Sequence, residues 1–280
     1  MRFNKAQIII IGVLFGLVVI LVYLNYRSSS STIEPSVSSN TGVIQKTFDF
    51  DAYLSSLKDS LSSDALKNIQ VQTQLASAEN AGIFSVANLA NTWDSLGFRM
   101  VSAFYLAKIA AKINDENSWF KAGLKYYEFA ATCEDTAMQI YASRQAIIAF
   151  EKVVSLNENN IEAKNALAIC YIQNDLDIMK GVQLLKDVTR RDSNNVDANY
   201  TLGMLSMRSG QVDKAAVRFE NLVRIQPFNP EFHYYLGEAY NQLGKKQEAI
   251  KAFETFRSLV PEEEAKKNID VTINNLKNSK

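Results

Sequence analysis

Residues 196–261 read VDANYTLGMLSMRSGQVDKAAVRFENLVRIQPFN (196–229) and then PEFHYYLGEAYNQLGKKQEAIKAFETFRSLVP (230–261). The two lines carry the same residue types at positions that are 34 residues apart. The matching pairs are Leu202 and Leu236, Gly203 and Gly237, Gly210 and Gly244, Ala215 and Ala249, Phe219 and Phe253, and Pro227 and Pro261. A fixed period of this size indicates a repeat array in which each unit is one supersecondary element.

Each unit is predicted to consist of two helices joined by a turn. In the last unit, apolar residues recur three and four positions apart in two stretches, with Gly244 between them and Pro261 at the end. Such spacing places the apolar residues on one face of each helix, and glycine and proline are typical of helix ends. The small residues Gly237 and Ala249 face each other in this arrangement and let the helices approach closely. One pair cannot bury its whole apolar face, so neighbouring units must stack on it.

The units resemble the tetratricopeptide repeat, whose pattern is W-x2-L-G-x2-Y, then A-x3-F, then P. The last unit matches it at Leu236, Gly237, Tyr240, Ala249, Phe253 and Pro261, with His233 at the tryptophan position. The unit before matches at Leu202, Gly203, Ala215, Phe219 and Pro227, with Ser206 in place of the tyrosine. The resemblance implies an all-α fold, a solenoid of antiparallel helix pairs.

Earlier units match the pattern less well. One begins with Leu167, Ala168 and Tyr171, but its second helix slips by one residue, to Gly181 and Leu185. The unit before it carries Trp119, Ala122, Gly123, Tyr126, Ala146 and Phe150. That unit holds about three extra helical turns, so either its helices are longer or a short piece interrupts them. Residues 83–113 have the spacing of one further, degenerate repeat.

An unbroken apolar run begins at Ile8 and ends at Leu24. With its flanking residues it is long enough for a single transmembrane helix. A cleaved signal peptide is the alternative, but the run is long for one, and bulky residues follow it instead of a cleavage site. Arg2 and Lys5 precede the run, so the positive-inside rule predicts a cytoplasmic N-terminus. The bulk of the chain is then expected in the periplasm or another extracytoplasmic space.

Five segments follow from these patterns. Residues 1–27 form the anchor with a short N-terminal tail, 28–47 a serine-rich linker, 48–115 a helical segment that allows a degenerate repeat, 116–261 the repeats, and 262–280 a C-terminal capping helix. Residues 48–80 either cap the solenoid or form a separate arm. A capping helix is expected because a repeat array needs a terminal element with a polar outer side.

Composition argues against several functions. The formal net charge of +0 gives no electrostatic case for nucleic acid. The two cysteines, Cys133 and Cys170, are too few for a disulfide framework and are predicted to be buried free thiols in helices. His233 is the one histidine and is predicted to pack within its repeat. Because no catalytic or cofactor motif is present, we predict a protein that is not an enzyme and uses no cofactor or metal.

The resemblance also implies a binding surface, because the first helix of each tetratricopeptide unit lines an inner groove. The groove positions that we select are Asn165, Tyr200, Met204, Met207, Arg208, Tyr234, Glu238 and Asn241. Tyrosine and arginine are common at binding hot spots, and methionine adapts to varied partners. The alternative is that these side chains pack within or between repeats. Glu231 and Glu238, both at groove positions, argue against the clamp by which some family members hold acidic C-termini.

Two functions remain open at this stage. The first is a membrane-tethered adaptor that binds a protein or peptide segment and assists the assembly or translocation of envelope proteins, as some bacterial members of the family do. The second is a self-associating scaffold of the membrane. Gly12 and Gly16 lie in the apolar run at a spacing that lets two membrane helices pack, so a homodimer is part of this second hypothesis.

Overall fold

The computed structural model describes residues 48–78, 82–174 and 177–279, and within them the chain is entirely helical, with thirteen helices. The helices are α1 (Phe50–Ser60), α2 (Ser63–Ser77), α3 (Ile83–Ser95), α4 (Arg99–Ile113), α5 (Glu116–Thr132), α6 (Thr136–Leu156), α7 (Ile161–Gln173), α8 (Ile178–Arg191), α9 (Val196–Arg208), α10 (Val212–Ile225), α11 (Pro230–Gln242), α12 (Lys246–Leu259) and α13 (Glu263–Asn278). The expected anchor (8–24) and linker (28–47) lie outside the described residues. None of the described helices combines the length and the apolar character that crossing a membrane requires.

The helices stack in chain order. From α2 onward each helix packs on the next one. The packing is most extensive between α5 and α6, and it is also extensive within the pairs α3–α4, α7–α8, α9–α10 and α11–α12 and between α4 and α5. Only three or four residues separate the two members of each pair, so the members run antiparallel. The all-α solenoid predicted from the sequence is therefore confirmed for the described residues. The limits of the five sequence segments stay predictions.

Local sequence explains where the repeated helices begin. Asn160, Asn195 and Asn229 precede α7, α9 and α11, and the side chain of each accepts a hydrogen bond from a backbone N–H of the first turn, at 2.7, 3.0 and 3.0 Å. Asparagine is among the best residues at this position. The turns inside the last two units use Gly210 and Gly244, both with φ of 72°. That conformation is strained for any residue with a side chain, which explains why glycine recurs there.

A phenylalanine and a glycine form the centre of each well-matched unit. Phe219 and Phe253 are fully buried, and their rings lie against the backbone of Gly203 and Gly237 respectively. A Cβ atom built on Gly237 would lie 2.5 Å from the Phe253 ring, and one built on Gly203 would lie 3.0 Å from the Phe219 ring. The two helices of a unit are thus close enough that only hydrogen fits between them.

The unit from α5 to α6 differs in length from the others. Its helices have 17 and 21 residues, against 13 and 14 in the last unit, so longer helices account for the extra turns. The side chain of Asp135 begins α6 by accepting a hydrogen bond from the Met138 N–H at 2.8 Å. Cys170 is buried as expected, and burial raises the pKa of its thiol to about 12. Cys133 is only half-buried and follows the end of α5, so its predicted burial within a helix is wrong.

The first described segment packs against the solenoid. The Phe50 ring of α1 lies 4.4 Å from the Phe104 ring of α4 and 5.8 Å from the Tyr141 ring of α6, measured between ring centroids. Helix α2 packs on α3. Of the two alternatives for residues 48–80, the structure therefore shows a packed segment over the described part. At the other end, Ile269 and Ile273 of α13 cover the apolar cluster around Phe253.

Candidate protein-binding groove

The predicted binding residues lie on the first helices of three successive units. Asn165 is on α7, Tyr200, Met204, Met207 and Arg208 are on α9, and Tyr234, Glu238 and Asn241 are on α11. We call the surface along α7, α9 and α11 the inner groove. Side-chain hydrogen bonds connect α7 to the start of α9, and α9 to α11, so the three helices form one continuous surface.

Tyr200 connects two of the units. Its hydroxyl donates a hydrogen bond to the Glu231 carboxylate of α11 at 2.7 Å, and its ring lies 5.8 Å from the Tyr235 ring. Burial, followed by the nearby Glu231 charge, raises the pKa of the Tyr200 hydroxyl, which therefore stays protonated. Met204 and Met207 pack against the same apolar cluster. These side chains stabilise the junction between units and are also half-exposed to the groove.

Tyr234 is half-buried. Its ring lies 5.4 Å from the Phe256 ring and 6.1 Å from the Phe253 ring, both on α12. These contacts place part of the ring in the apolar contact between α11 and α12 and leave the remainder at the surface. One side of the Tyr234 ring thus packs between helices, and the other side is available to a ligand in the groove.

The remaining predicted residues occupy different environments. Asn165 is buried, and its Nδ2 donates a hydrogen bond to Asn195 Oδ1 at 2.9 Å, which joins α7 to the start of α9. Glu238 and Asn241 are half-buried on α11. Arg208 is exposed at the end of α9, where it lines a cleft between α8 and α10. The structure thus brings Tyr200 and its neighbours together, but it places Arg208 in a second surface feature.

Three carboxylates give the inner groove its electrostatic character. Burial raises the pKa values of Asp197, Glu231 and Glu238, although the hydrogen bond from Tyr200 partly opposes this effect at Glu231. The Asp197 side chain is exposed, yet the surrounding groove walls displace much of the water that would solvate it. Among the salt bridges of the described residues, none involves these three carboxylates. The groove therefore holds negative charge without positive partners.

One residue that borders the inner groove was not found from the sequence. Tyr127 of α5 is hydrogen-bonded to Gln173 of α7, and burial is the main cause that raises the pKa of its hydroxyl, with a smaller contribution from Asp197. It lies four residues after Gly123, as Met207 lies four residues after Gly203. That shared offset is the signal that could have identified it.

His233 has the structural role that was predicted for it. It is buried, and its Nε2–H donates a hydrogen bond to the Pro227 carbonyl oxygen at 2.8 Å, which assigns the proton to Nε2. The described part of the chain contains no group of three or more histidine, cysteine, aspartate or glutamate side chains arranged to hold a metal ion.

Replacing Glu238 by glutamine is expected to stabilise the fold at neutral pH, by no more than about 1 kcal/mol because the site is partly open to water. A carboxyl whose pKa is raised on folding binds protons more tightly in the folded state. Its contribution to stability therefore falls as pH rises from the ordinary pKa through the raised one. Thermal unfolding at pH 7.5 and pH 4 measures this, and the advantage of E238Q should shrink at the lower pH. The exposed Glu128→Gln is the control, and an equal gain there would contradict the argument.

Comparison with known proteins places the repeats in a family. Residues 200–263 match the family model of the tetratricopeptide repeat. Superkiller protein 3 of Schizosaccharomyces pombe is 28% identical over 121 residues, which are 41% of this chain and 9% of that protein. Anaphase-promoting complex subunit 3 of the same organism is 23% identical over 145 residues, 52% of this chain and 20% of that protein. The matched part is thus a fifth or less of each relative.

Two groups of solved structures share the fold. The crystal structure of MamA superposes with a TM-score of 0.52 at 21% identity, covering 66% of this chain and 97% of MamA. YrrB, described as a TPR protein with an unusual peptide-binding site, gives a TM-score of 0.52 at 15% identity and covers 72% of this chain and 99% of YrrB. At these identities the similarity concerns the fold. Residues 200–263 thus match the tetratricopeptide repeat, and the helical solenoid around them shares its fold with these solved structures.

Proposed function

We propose that this protein is a membrane-tethered adaptor whose inner groove binds an extended or helical segment of a partner protein. The single observation that carries the groove assignment is the set of carboxylates Asp197, Glu231 and Glu238, which form no salt bridge within the described residues and share α9 and α11 with Tyr200 and Tyr234. A segment with lysine or arginine next to apolar side chains would complement this surface. The protein-binding roles common among tetratricopeptide-repeat proteins support the same proposal, and no enzymatic role is proposed.

The location of the adaptor is a second part of the proposal. The apolar run at residues 8–24 would anchor the chain as a single-pass membrane protein, with its N-terminus in the cytoplasm and the solenoid outside it. The serine-rich linker would give the solenoid reach from the membrane. An adaptor in that position would assist the assembly or translocation of envelope proteins. The support for this part is the sequence pattern described above.

Photo-crosslinking in cells tests the groove directly. A photoreactive amino acid at Tyr234 of the full chain is expected to give a discrete crosslinked band with another protein, because part of the ring is at the groove surface. The matched control is the same amino acid at Phe228, which is 81% exposed in the turn between α10 and α11. The identity of the captured protein also reports the compartment of the solenoid.

Each other outcome has a defined meaning. Crosslinks of Tyr234 only to a second copy of the chain would favour the self-associating scaffold over the adaptor. A band of equal strength from Phe228 would show that capture does not depend on the groove. Silence at both Tyr200 and Tyr234 would assign these rings to internal packing and would contradict the proposed groove.

A further inference from the structure

A second surface feature lies on the opposite side of α9. It is a cleft of about 830 Å³ with α8 and α10 as its walls and the outward side of α9 as its floor. Its apolar lining includes Met179 and Val182 from α8, Leu202 and Leu205 from α9, and Val217 from α10. We call it the outer cleft.

The outer cleft coincides with the degenerate unit of the array. In the last two units, a glycine of the first helix faces a phenylalanine of the second. In the unit formed by α7 and α8, the close contact is reversed, because Gly181 of the second helix lies against Ala168 and Ile172 of the first. A Cβ built on Gly181 would lie 2.8 Å from the Ala168 carbonyl oxygen and 2.7 Å from Ile172 Cγ1. Helix α8 is thus seated closely on α7, and the cleft opens on its other side.

Apolar side chains are unusually accessible in this cleft. Met179 is 67% exposed and Val217 is 63% exposed, one on each wall. Scattered single apolar residues are normal on protein surfaces, but here they share a concave surface with the floor of α9. A ligand would therefore gain binding free energy by burying apolar side chains in this cleft.

The rim of the outer cleft is positively charged. Lys186, Arg208, Lys214 and Arg218 line it, and Asp213 is the one acidic residue of the lining. Within the described residues, no salt bridge involves any of these four cations. Arg218 is held in place by a hydrogen bond that it donates to Asn199 Oδ1 at 2.8 Å. The full chain has a formal net charge of +0, so this is a local excess that an anionic partner would neutralise.

We propose that the outer cleft binds an amphipathic helix of a partner protein that carries acidic residues beside an apolar stripe. The walls and the floor are helices, whose backbone groups are already paired internally. An extended peptide would find no strand edge there for its own backbone, whereas a helix satisfies its own hydrogen bonds. Nucleic acid would leave Met179 and Val217 without apolar contacts. The opposite charge of the inner groove makes this a separate site that takes a different partner.

Peptide binding to the full chain tests the proposal. The chain is held in nanodiscs of zwitterionic lipid, and the probe is a fluorescein-labelled amphipathic peptide of about five helical turns with leucine on one face and glutamate on its flanks. Two companion peptides carry glutamine or lysine in place of the glutamates. Fluorescence anisotropy is expected to rank the affinities as glutamate first, glutamine second and lysine last.

Variants locate the binding. The double variant K186E/K214E is expected to weaken binding of the acidic peptide about tenfold, since both rim attractions become repulsions. V217D is expected to weaken all three peptides, and its exposed position leaves the fold intact, as circular dichroism would verify. The matched control is K251E/K267E, which makes the same charge change at exposed positions on α12 and α13.

Three results would overturn the proposal. One is equal binding of the glutamate and glutamine peptides, and another is an equal loss of affinity in K251E/K267E. The third is capture by vesicles of anionic lipid that K186E/K214E abolishes while the peptides do not bind, which would assign the cleft to lipid headgroups. The inner groove is tested independently, because crosslinking from Tyr234 should be unchanged in K186E/K214E.

Discussion

Replacing Phe253 by alanine is expected to lower the free energy of unfolding by about 3–5 kcal/mol, the usual cost of removing a fully buried phenylalanine. The ring is completely inaccessible to solvent, and it packs against the backbone of Gly237 and near the ring of Tyr234, both on α11. It also contacts the cluster that Ile269 and Ile273 complete from α13. A cavity at this point therefore loosens both the last unit and the helix that covers it.

Urea denaturation followed by circular dichroism measures the loss, and Phe228→Ala is the matched control. Phe228 is 81% exposed, so its removal should change the free energy of unfolding by less than about 0.5 kcal/mol. Because stability in a solenoid is a sum over units and interfaces, hydrogen exchange in F253A should increase first in α11, α12 and α13. Uniformly faster exchange along the whole solenoid would contradict this local account.

Replacing Gly237 by valine is expected to destabilise the protein by about 3 kcal/mol. The reason is that the backbone of Gly237 already contacts the Phe253 ring although glycine has no side chain. Even a Cβ atom would lie 2.5 Å from Phe253 Cε1, and the ring is completely buried, so it cannot turn out into solvent without leaving the core. Valine adds two methyl groups beyond that Cβ. The helix backbone gains from losing glycine, but for valine that gain is less than about 1 kcal/mol.

The equivalent substitution one unit earlier provides the comparison. At Gly203 the added Cβ would lie 3.0 Å from Phe219 Cζ, so Gly203→Val should cost measurably less than Gly237→Val. Thermal unfolding of both variants tests the order. A double variant, G237V with F253L, should recover part of the loss because the smaller side chain makes room. If Gly203→Val costs as much as Gly237→Val, contact distance does not determine the effect.

The repeat core could be predicted from residue spacing alone. Glycine before the turn, alanine and phenylalanine after it, and proline at the end recur with one period, and each corresponds to a local physical requirement. The contact between Gly237 and Phe253 follows from such a requirement, and so does the left-handed turn at Gly244. Requirements of this kind act within a single unit, which explains why a single sequence reveals them.

Contacts between units were less predictable. The hydrogen bond from Tyr200 to Glu231 joins residues on two units and depends on how those units stack. Arg208 was assigned to the inner groove from its repeat position, but it lines the outer cleft. That cleft depends on the register of α8 against α7. In the sequence, the one-residue slip that places glycine at position 181 indicated this register. Its consequence for the surface on the other side of α8 requires the three-dimensional structure.

Helix α13 also limits how far the stacking can continue. Each unit offers the next an apolar face, so an array without a terminal element ends in a surface that can accept another molecule. A head-to-tail contact of that type does not close on itself and grows into an open filament. Ile269 and Ile273 occupy the apolar face of the unit formed by α11 and α12, while the exposed side of α13 is polar and charged apart from Val271. The sixteen residues of α13 thus cover an apolar face that would otherwise be open to a second molecule.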